Sequence, residues 1–382
     1  MNKADNLTRI TMKNFVFAFQ FLHKLQNIVQ NSIKERKNMT KYVLLVLILI
    51  SRISFGQIKT FNGKQLSDAE FQGKIKKAMD SLQVQGMSIA IINNGKIVFN
   101  KGLGVANTLS KKKVTPSTFF EAASLSKPVF ALFVLQLAKE GRLDLNRPLF
   151  EYLPADNIED ERYKKITAKM VLSHTTGLPN WSETGKMQLQ SEPGKQFSYS
   201  GEAYVYLGRV IAKLSNTSFK NLDAVFQNKV AKELKLNDFH FVITPEVEKN
   251  LADGYQKKHF VKDERDRSSF DPAGGLLANT RNYSEFLIHL MNKKLNFSEM
   301  FEPVVTLDQD SPIREYFGVD SWTLGMAVIK LNGKLNYWHG GNNLGYTSSF
   351  MIDPDKKFGY VYFTNEDQCN GMKKVVENIL WK

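Results

Sequence analysis

The sequence predicts an α/β (α+β) protein: an antiparallel sheet flanked by helices, built from both chain ends, with a mainly helical lobe inserted between them. Three observations carry this. Strand patterning with a tight turn stands near residues 87–99. Strand patterning returns from Trp322 to Phe363. The turn-rich stretch between carries apolar residues at helical spacing. At 382 residues, with 42% hydrophobic and 24% charged content, the chain is long enough for a sizeable core and two lobes.

The first 56 residues read apart from the rest. Val43 to Ile50 is an apolar run preceded by Lys37 and Lys41. It is too short to span a bilayer and matches the apolar core of a signal peptide. Met39 just upstream marks the expected start of translation. Ser54-Phe-Gly56 supplies small residues before a cleavage point ahead of Gln57. The expectation is an exported protein, periplasmic or secreted, with no stable membrane span after signal removal. The single cysteine, Cys369, excludes an intrachain disulfide.

Net charge is +14, but the nine Lys/Arg and two Asp/Glu of residues 1–56 account for half of it. The remainder is moderately basic. Lys111-Lys-Lys113 and Lys257-Lys258 lack interleaved aromatics and read as solvated surface, so no nucleic-acid partner is expected.

Phe71, Ile75, Met79 and Leu82 recur at helical spacing and predict a first helix over 66–82. Strands follow at 87–92 and 96–99. Asn94-Gly95 between them suits a type I′ hairpin turn, which needs positive φ at both positions. Gly86-Met-Ser-Ile-Ala90 lacks the last glycine of a nucleophile elbow, and Ser88 reads as a strand residue. Val129, Phe130, Phe133, Val134 and Leu137 give one apolar helix face, which Gly141 ends. Pro128 fits the first helical turn. Further helices are expected at 170–172, 203–214 and 222–234. Strands follow at 324–328, about Trp338, at 348–352 and at 358–363, and a last helix at 372–381.

Ser124 and Lys127 stand three apart, one above the other on a helix face. A serine hydroxyl is a weak nucleophile until a neighbouring base takes its proton, and a lysine one turn on can serve. The plain alternative is a helix cap by Ser124 or Ser126. At the helix N-terminus, the dipole would favour negative charge on a reacting oxygen. Tyr199, on a loop before a helix, reads either as a core aromatic with a satisfied hydroxyl or as a phenol that can act as a local base near a lysine. His339 stands before Gly340-Gly341, which lets backbone approach a ligand closely. It could bind substrate or tune the tyrosine.

Ser124-Leu-Ser-Lys127, Tyr199-Ser-Gly201 and His339-Gly-Gly341 resemble, in order and spacing, the motifs of the penicillin-recognising serine hydrolases. The likeness is to the class C β-lactamase and D-alanyl carboxypeptidase/esterase branch. Leu172-Ser-His-Thr-Thr-Gly-Leu-Pro179, Pro193-Gly194 and Ala273-Gly-Gly-Leu276 resemble the family too. The resemblance covers roughly residues 66–380 and implies a β-lactamase/transpeptidase-like fold with the site where sheet and lobe meet. It implies Ser124 as the acylated nucleophile. Lys127 would deprotonate it or support it electrostatically, and Tyr199 would pass protons to the leaving group and activate water. His339, Gly341 and Asn342 would bind substrate. The backbone N–H groups of Ser124 and Asn342 would form the oxyanion hole. His174 and Thr176 are expected to be structural, holding the loop near the site.

The expected organisation is a leader over 1–56 and one domain over 57–382. Its sheet lobe lies at about 60–120 and 265–382, its helical lobe at about 121–264. Many β-lactamases carry Asn where this chain has Gly201, which weakens the case for β-lactam and peptidoglycan substrates; Asn342 or Asn343 could supply an amide instead. Substrates left open are a β-lactam, a D-amino-acid peptide or an ester. No cofactor is expected, and the partner is a small-molecule or peptide substrate acting on a monomer. The six histidines (23, 174, 240, 259, 289 and 339) form no metal-ligand pair at short spacing, which argues against a zinc hydrolase. The rival is a decayed module that binds cell-wall peptide without turnover. It would be expected to have lost Ser124, Lys127 or Tyr199.

Overall fold

The structure is a computed structural model that describes residues 58–292, 297–331 and 333–381. The apolar run at 43–50, Met39 and the cleavage point before Gln57 lie outside the described residues. No helix among those described is long and apolar enough to cross a membrane.

Helix α1 (Asp68–Ser81) begins where the Ser67 hydroxyl accepts the Glu70 N–H at 3.2 Å. It buries Phe71, Ile75 and Met79, the positions its spacing predicts. Strands β1 (Gly86–Asn93) and β2 (Lys96–Gly104) form the expected hairpin, with φ +51° at Asn94 and +71° at Gly95. The rest of the main sheet comes late in the chain: β3 (Val305–Thr306), β4 (Val319–Trp322), β5 (Ala327–Leu331), β6 (Lys334–Asn343), β7 (Tyr346–Asp353) and β8 (Phe358–Thr364). The order is β2-β1-β8-β7-β6-β5-β4-β3, antiparallel throughout. The first hairpin thus lies against the last strand, with Ile89 opposite Tyr362. The sheet is built from both chain ends, as predicted.

Alternation sorts the two faces. Met87, Ile89, Ile91, Tyr360 and Tyr362 share a core with the residues of α1 and of α7 (Gly371–Leu380). Ala90, Phe350, Val361 and Phe363 face the other way, into a core shared with the inserted lobe. That lobe is organised around α2 (Ser126–Lys139), with α3 (Ala168–Leu172) and α4 (Gly201–Leu214) against it. Helix α2 is buried almost all round: Ala131, Leu132 and Leu135 join the predicted face.

Three expectations change. The segment 222–234 is two short helices, Leu222–Phe226 and Lys232–Leu234, joined by a π-helical stretch at Gln227–Ala231. The strand expected at 324–328 starts at Ala327, because Leu324-Gly325 turns to dock on the lobe, with Gly325 N–H bonded to Leu172 O at 2.9 Å. Helix α5 (Thr280–Met291) was not foreseen. Asn279 caps it through a 3.0 Å bond from Asn282 N–H, and it carries Tyr283, Phe286, Leu287 and Leu290 into the core between lobe and sheet. A short helix α6 (Pro312–Phe317) precedes β4.

Candidate active site

The nucleophile turn is held from three sides. Phe120–Glu121 pairs with Leu277–Ala278, and Ala122 N–H bonds to Leu276 O at 2.8 Å. The Ser348 hydroxyl donates to Ala122 O at 2.7 Å, and the Tyr283 hydroxyl to Leu125 O at 2.8 Å. Ala123 takes φ +50°, uncommon for a residue with a Cβ and costing about 1–2 kcal/mol. This sharp bend presents Ser124 half-buried in a 3₁₀ turn, Ala123–Leu125, that runs directly into α2. Ser124 is therefore not the first residue of the helix, and neither serine caps it: Leu125 is the cap and offers no side-chain bond. Ser126 instead locks the turn, donating to Ala123 O at 2.6 Å and accepting from Leu276 N–H at 2.9 Å.

Lys127 is 1% exposed. Its Nζ donates to Ser124 Oγ at 3.1 Å and to Ala273 O at 2.7 Å. It lies 4.9 Å from the Tyr199 ring centre and 5.5 Å from that of Tyr204. Serine, lysine and tyrosine are thus brought together: the first two at the spacing of one helical turn, the third where the family resemblance implies it. The Ala273 carbonyl, which fixes the amine's second bond, was not assigned a role from sequence.

Tyr199 owes its place to His174. That residue is buried at φ +54°, with its ring stacked on Tyr199 at 4.2 Å and 27°. His174 Nδ1 accepts Ser200 N–H at 3.1 Å, so the neutral ring carries its proton on Nε2. Burial, then the charges of Lys127 and His339, push its pKa well below the usual value. Ser200 caps α4 through a 3.0 Å bond from Ala203 N–H and ties back to Pro179 O at 2.7 Å. Trp322 stands edge-on to His174, Tyr199 and His339, at 5.2, 5.9 and 5.4 Å. Among the described residues the Tyr199 hydroxyl has no hydrogen-bond partner, which leaves it available to substrate.

The opposite wall is β6. Strand β5 pairs with it only as far as Ala327 opposite Trp338. Residues 339–343 pair with β7 on one side, and among the described residues their other edge is open. Gly341 lets this strand reach the nucleophile turn: a Cβ there would stand 2.7 Å from Ala122 O and 2.9 Å from Ser124 N. His339 is 2% exposed, and its Nδ1 donates to Gly340 O at 2.8 Å, leaving the lone pair on Nε2. Burial first and the Lys127 charge second push it down to about 3, against the pull of the Gly340 carbonyl.

Two expectations about amides are corrected. Asn342 is exposed; its Nδ2 donates to Asp367 Oδ1 at 2.7 Å, and its Oδ1 accepts from Thr347 Oγ1 and Gln368 N–H. Asn343 Nδ2 is taken by Glu121 at 2.6 Å and Gly274 O at 3.0 Å. Both side-chain amides are thus held by partners within the protein. At Gly201 the backbone is not left-handed, and both N–H bonds go to Asn180, at 3.1 Å to O and 3.0 Å to Oδ1. A Cβ there would lie 2.5 Å from the Trp181 ring, which fills the side chain's place. Sequence reasoning missed Trp181 and Trp322. Their signal was only proximity to the motifs, since nothing local distinguishes a wall tryptophan from a core one.

A family profile described as Beta-lactamase matches residues 71–376. Protein flp of Staphylococcus aureus is 25% identical over 318 residues, which are 78% of this chain and 62% of that protein's length. A Beta-lactamase of Pseudomonas fluorescens is 30% identical over 197 residues, 48% of this chain and 53% of that one. Among solved structures, an octameric penicillin-binding protein homologue from Pyrococcus abyssi superposes with TM-score 0.69 at 21% identity, covering 83% of this chain and 78% of that chain. EstCE1, a hydrolase with promiscuous acyltransferase activity, gives 0.68 at 19%, covering 81% and 97%. These two structures establish likeness of fold.

Proposed function

The chain belongs to the Beta-lactamase family, and on that premise we propose that it is a serine hydrolase working through an acyl-enzyme, with simple esters preferred over β-lactams and D-amino-acid amides. The observation that carries this is the 3.1 Å bond from Lys127 Nζ to Ser124 Oγ, with the Tyr199 ring beside the amine. Ser124 Oγ attacks the acyl carbon and its proton passes into the Lys127–Tyr199 pair. The carbonyl oxygen becomes an oxyanion facing the backbone N–H groups of Ser124 and Asn342, each such donor being worth on the order of 10²–10³ in rate. Collapse expels the alcohol, which takes its proton from Tyr199. Water, losing a proton to the same pair, then releases the acid and restores Ser124.

The ester preference rests on amides. Gly201 has no side chain, and those of Asn342 and Asn343 are engaged elsewhere. A buried substrate amide without a partner costs roughly 1–3 kcal/mol, whereas a simple ester carries no such group. The intact serine, lysine and tyrosine speak against a decayed binding module. Intact-mass spectrometry after a fluorophosphonate probe should show one adduct, absent in Ser124→Ala; an adduct persisting in that variant refutes the assignment. A panel of nitrocefin, a D-Ala-D-Ala peptide and a short-chain 4-nitrophenyl ester then ranks substrates, and efficient nitrocefin turnover without esterase activity would reverse the preference. We also propose export from a start at Met39, which N-terminal sequencing of protein from the native host checks; an intact Met1 on a cytoplasmic product would refute it.

A further inference from the structure

A cavity of about 210 Å³ is lined by residues of β6, β7 and β8 and of α6 and α7, with Tyr199 at its side. Tyr199, His339 and Gly341 line it, so it adjoins the nucleophile turn. Ile313, Phe317, Trp322, Trp338 and Tyr362 give it apolar, mostly flat walls, and Ser349, Asn370 and Lys373 add polar groups. Trp338 stacks on Phe317 at 4.9 Å and 30°, and its Nε1 donates to Ser349 Oγ at 2.9 Å, which leaves the indole face as its contribution.

The charges around this space are already matched. Lys373 lines it, but its Nζ is paired with Glu377 at 2.9 Å and lies over the Trp338 ring at 5.1 Å. Asp367 sits at the rim, holding Asn342. The Thr347 and Ser348 hydroxyls donate to Glu366 O and Ala122 O. Lys127, behind Tyr199, is turned to Ser124 and Ala273. His339 spends its Nδ1–H on Gly340 O and meets the site as a neutral ring, consistent with its lowered pKa. A carboxylate entering here would leave water for aromatic faces and an already neutralised lysine.

We propose that this cavity is the leaving-group subsite, that it takes an uncharged, flat apolar alcohol or phenol, and that it rejects a carboxylate at that position. This deepens the acyl-enzyme reading and rests on it for one step: the Tyr199 hydroxyl protonates the departing oxygen, so the group that departs is the one lying beside Tyr199.

The test separates the two readings by removing chemistry. In Ser124→Ala, 4-nitrobenzyl alcohol and 4-nitrobenzoate are titrated as quenchers of tryptophan fluorescence. The alcohol should bind at least about tenfold more tightly. Glu377→Gln, which uncovers the Lys373 charge, should narrow that ratio by at least about threefold. Equal or tighter binding of the benzoate, or no binding of the alcohol, overturns the subsite whatever the wild type hydrolyses. In the wild type, kcat/KM for 4-nitrophenyl acetate should exceed that for 3-carboxy-4-nitrophenyl acetate by a similar factor, after each is normalised to its uncatalysed rate. The reverse order also overturns the proposal. Selective binding without acylation of Ser124 in the wild type would instead refute the acyl-enzyme reading alone.

Discussion

On the β6 wall, Gly341 brings strand backbone against the nucleophile turn, and the atoms a Cβ would strike are the Ser348 hydroxyl, the Ala122 carbonyl and the Ser124 amide. On the facing wall, Gly201 opens α4 with ordinary backbone, and the atoms a Cβ would strike belong to the Trp181 ring, which is 55% exposed. Two glycines of two motifs are therefore present for different reasons. The first is set by main chain that the sheet and β7 hold in place. The second is set by one side chain at the surface that is free to swing. The walls should differ accordingly: one intolerant of change, the other adjustable.

Between the walls stands the Ser124–Lys127–Tyr199 unit, which both must serve. Lys127→Ala and Tyr199→Phe should each lower kcat by several orders of magnitude in a protein whose circular dichroism is unchanged. If they form one proton path, the double variant should be little worse than either single one. Strictly multiplicative losses would separate the two residues and assign each to its own wall. Next in size, Gly341→Ala should cost on the order of 10²–10³ in kcat, the scale of a lost oxyanion donor, because the Ala122 carbonyl and Ser124 amide are backbone that cannot swing aside. Near-wild-type turnover there would break the comparison.

The β6 wall also carries a pH signature. The folded His339 takes up a second ring proton only below about 3, against an ordinary value near 6.5. Between those limits the unfolded chain binds a proton that the folded chain refuses. Stability from the neutral ring is thus fully present above pH 6.5 and lost as pH falls towards 3, at about 1.4 kcal/mol per unit. Urea unfolding of wild type and His339→Gln across this window should show the wild type losing ground to the variant as pH drops. A constant difference would mean that His339 is not held neutral. His174 contributes with the same sign to both proteins.

The smallest effects belong to the adjustable wall. Gly201→Asn should change short-chain ester turnover by less than about tenfold, since Trp181 can move. Only with Trp181→Ala should the new amide find room and raise nitrocefin kcat/KM relative to the ester, by about one power of ten. A severe loss in Gly201→Asn alone would show that Trp181 is as fixed as the β6 backbone.

Much of this was legible in the chain. The Asn94-Gly95 turn, the period-two strands and the face of α2 are local signals, and they placed most of the sheet and the centre of the lobe. The meeting of Ser124 and Lys127 was legible because the two lie one turn apart; Tyr199 was singled out only through the family resemblance, since a lone tyrosine before a helix reads as well as a core aromatic. The bend at Ala123 was not, since alanine carries no local preference for positive φ; the Ser348, Leu276 and Tyr283 bonds impose it. The fate of the Asn342 and Asn343 amides depends on Asp367 and Glu121, far away in sequence. Trp181 over Gly201 is likewise a tertiary fact.

The pairing of β1 with β8 joins residue 89 to residue 362, and everything between must be made before that ladder can close. The loop entropy comes before the reward, so folding should be slow and governed by contacts of high sequence separation. On the ribosome the first hairpin waits with one edge bare until almost the whole chain has emerged. The chain is exposed to sticking to itself for that interval, so its yield should depend on holdase chaperones more than its native stability suggests.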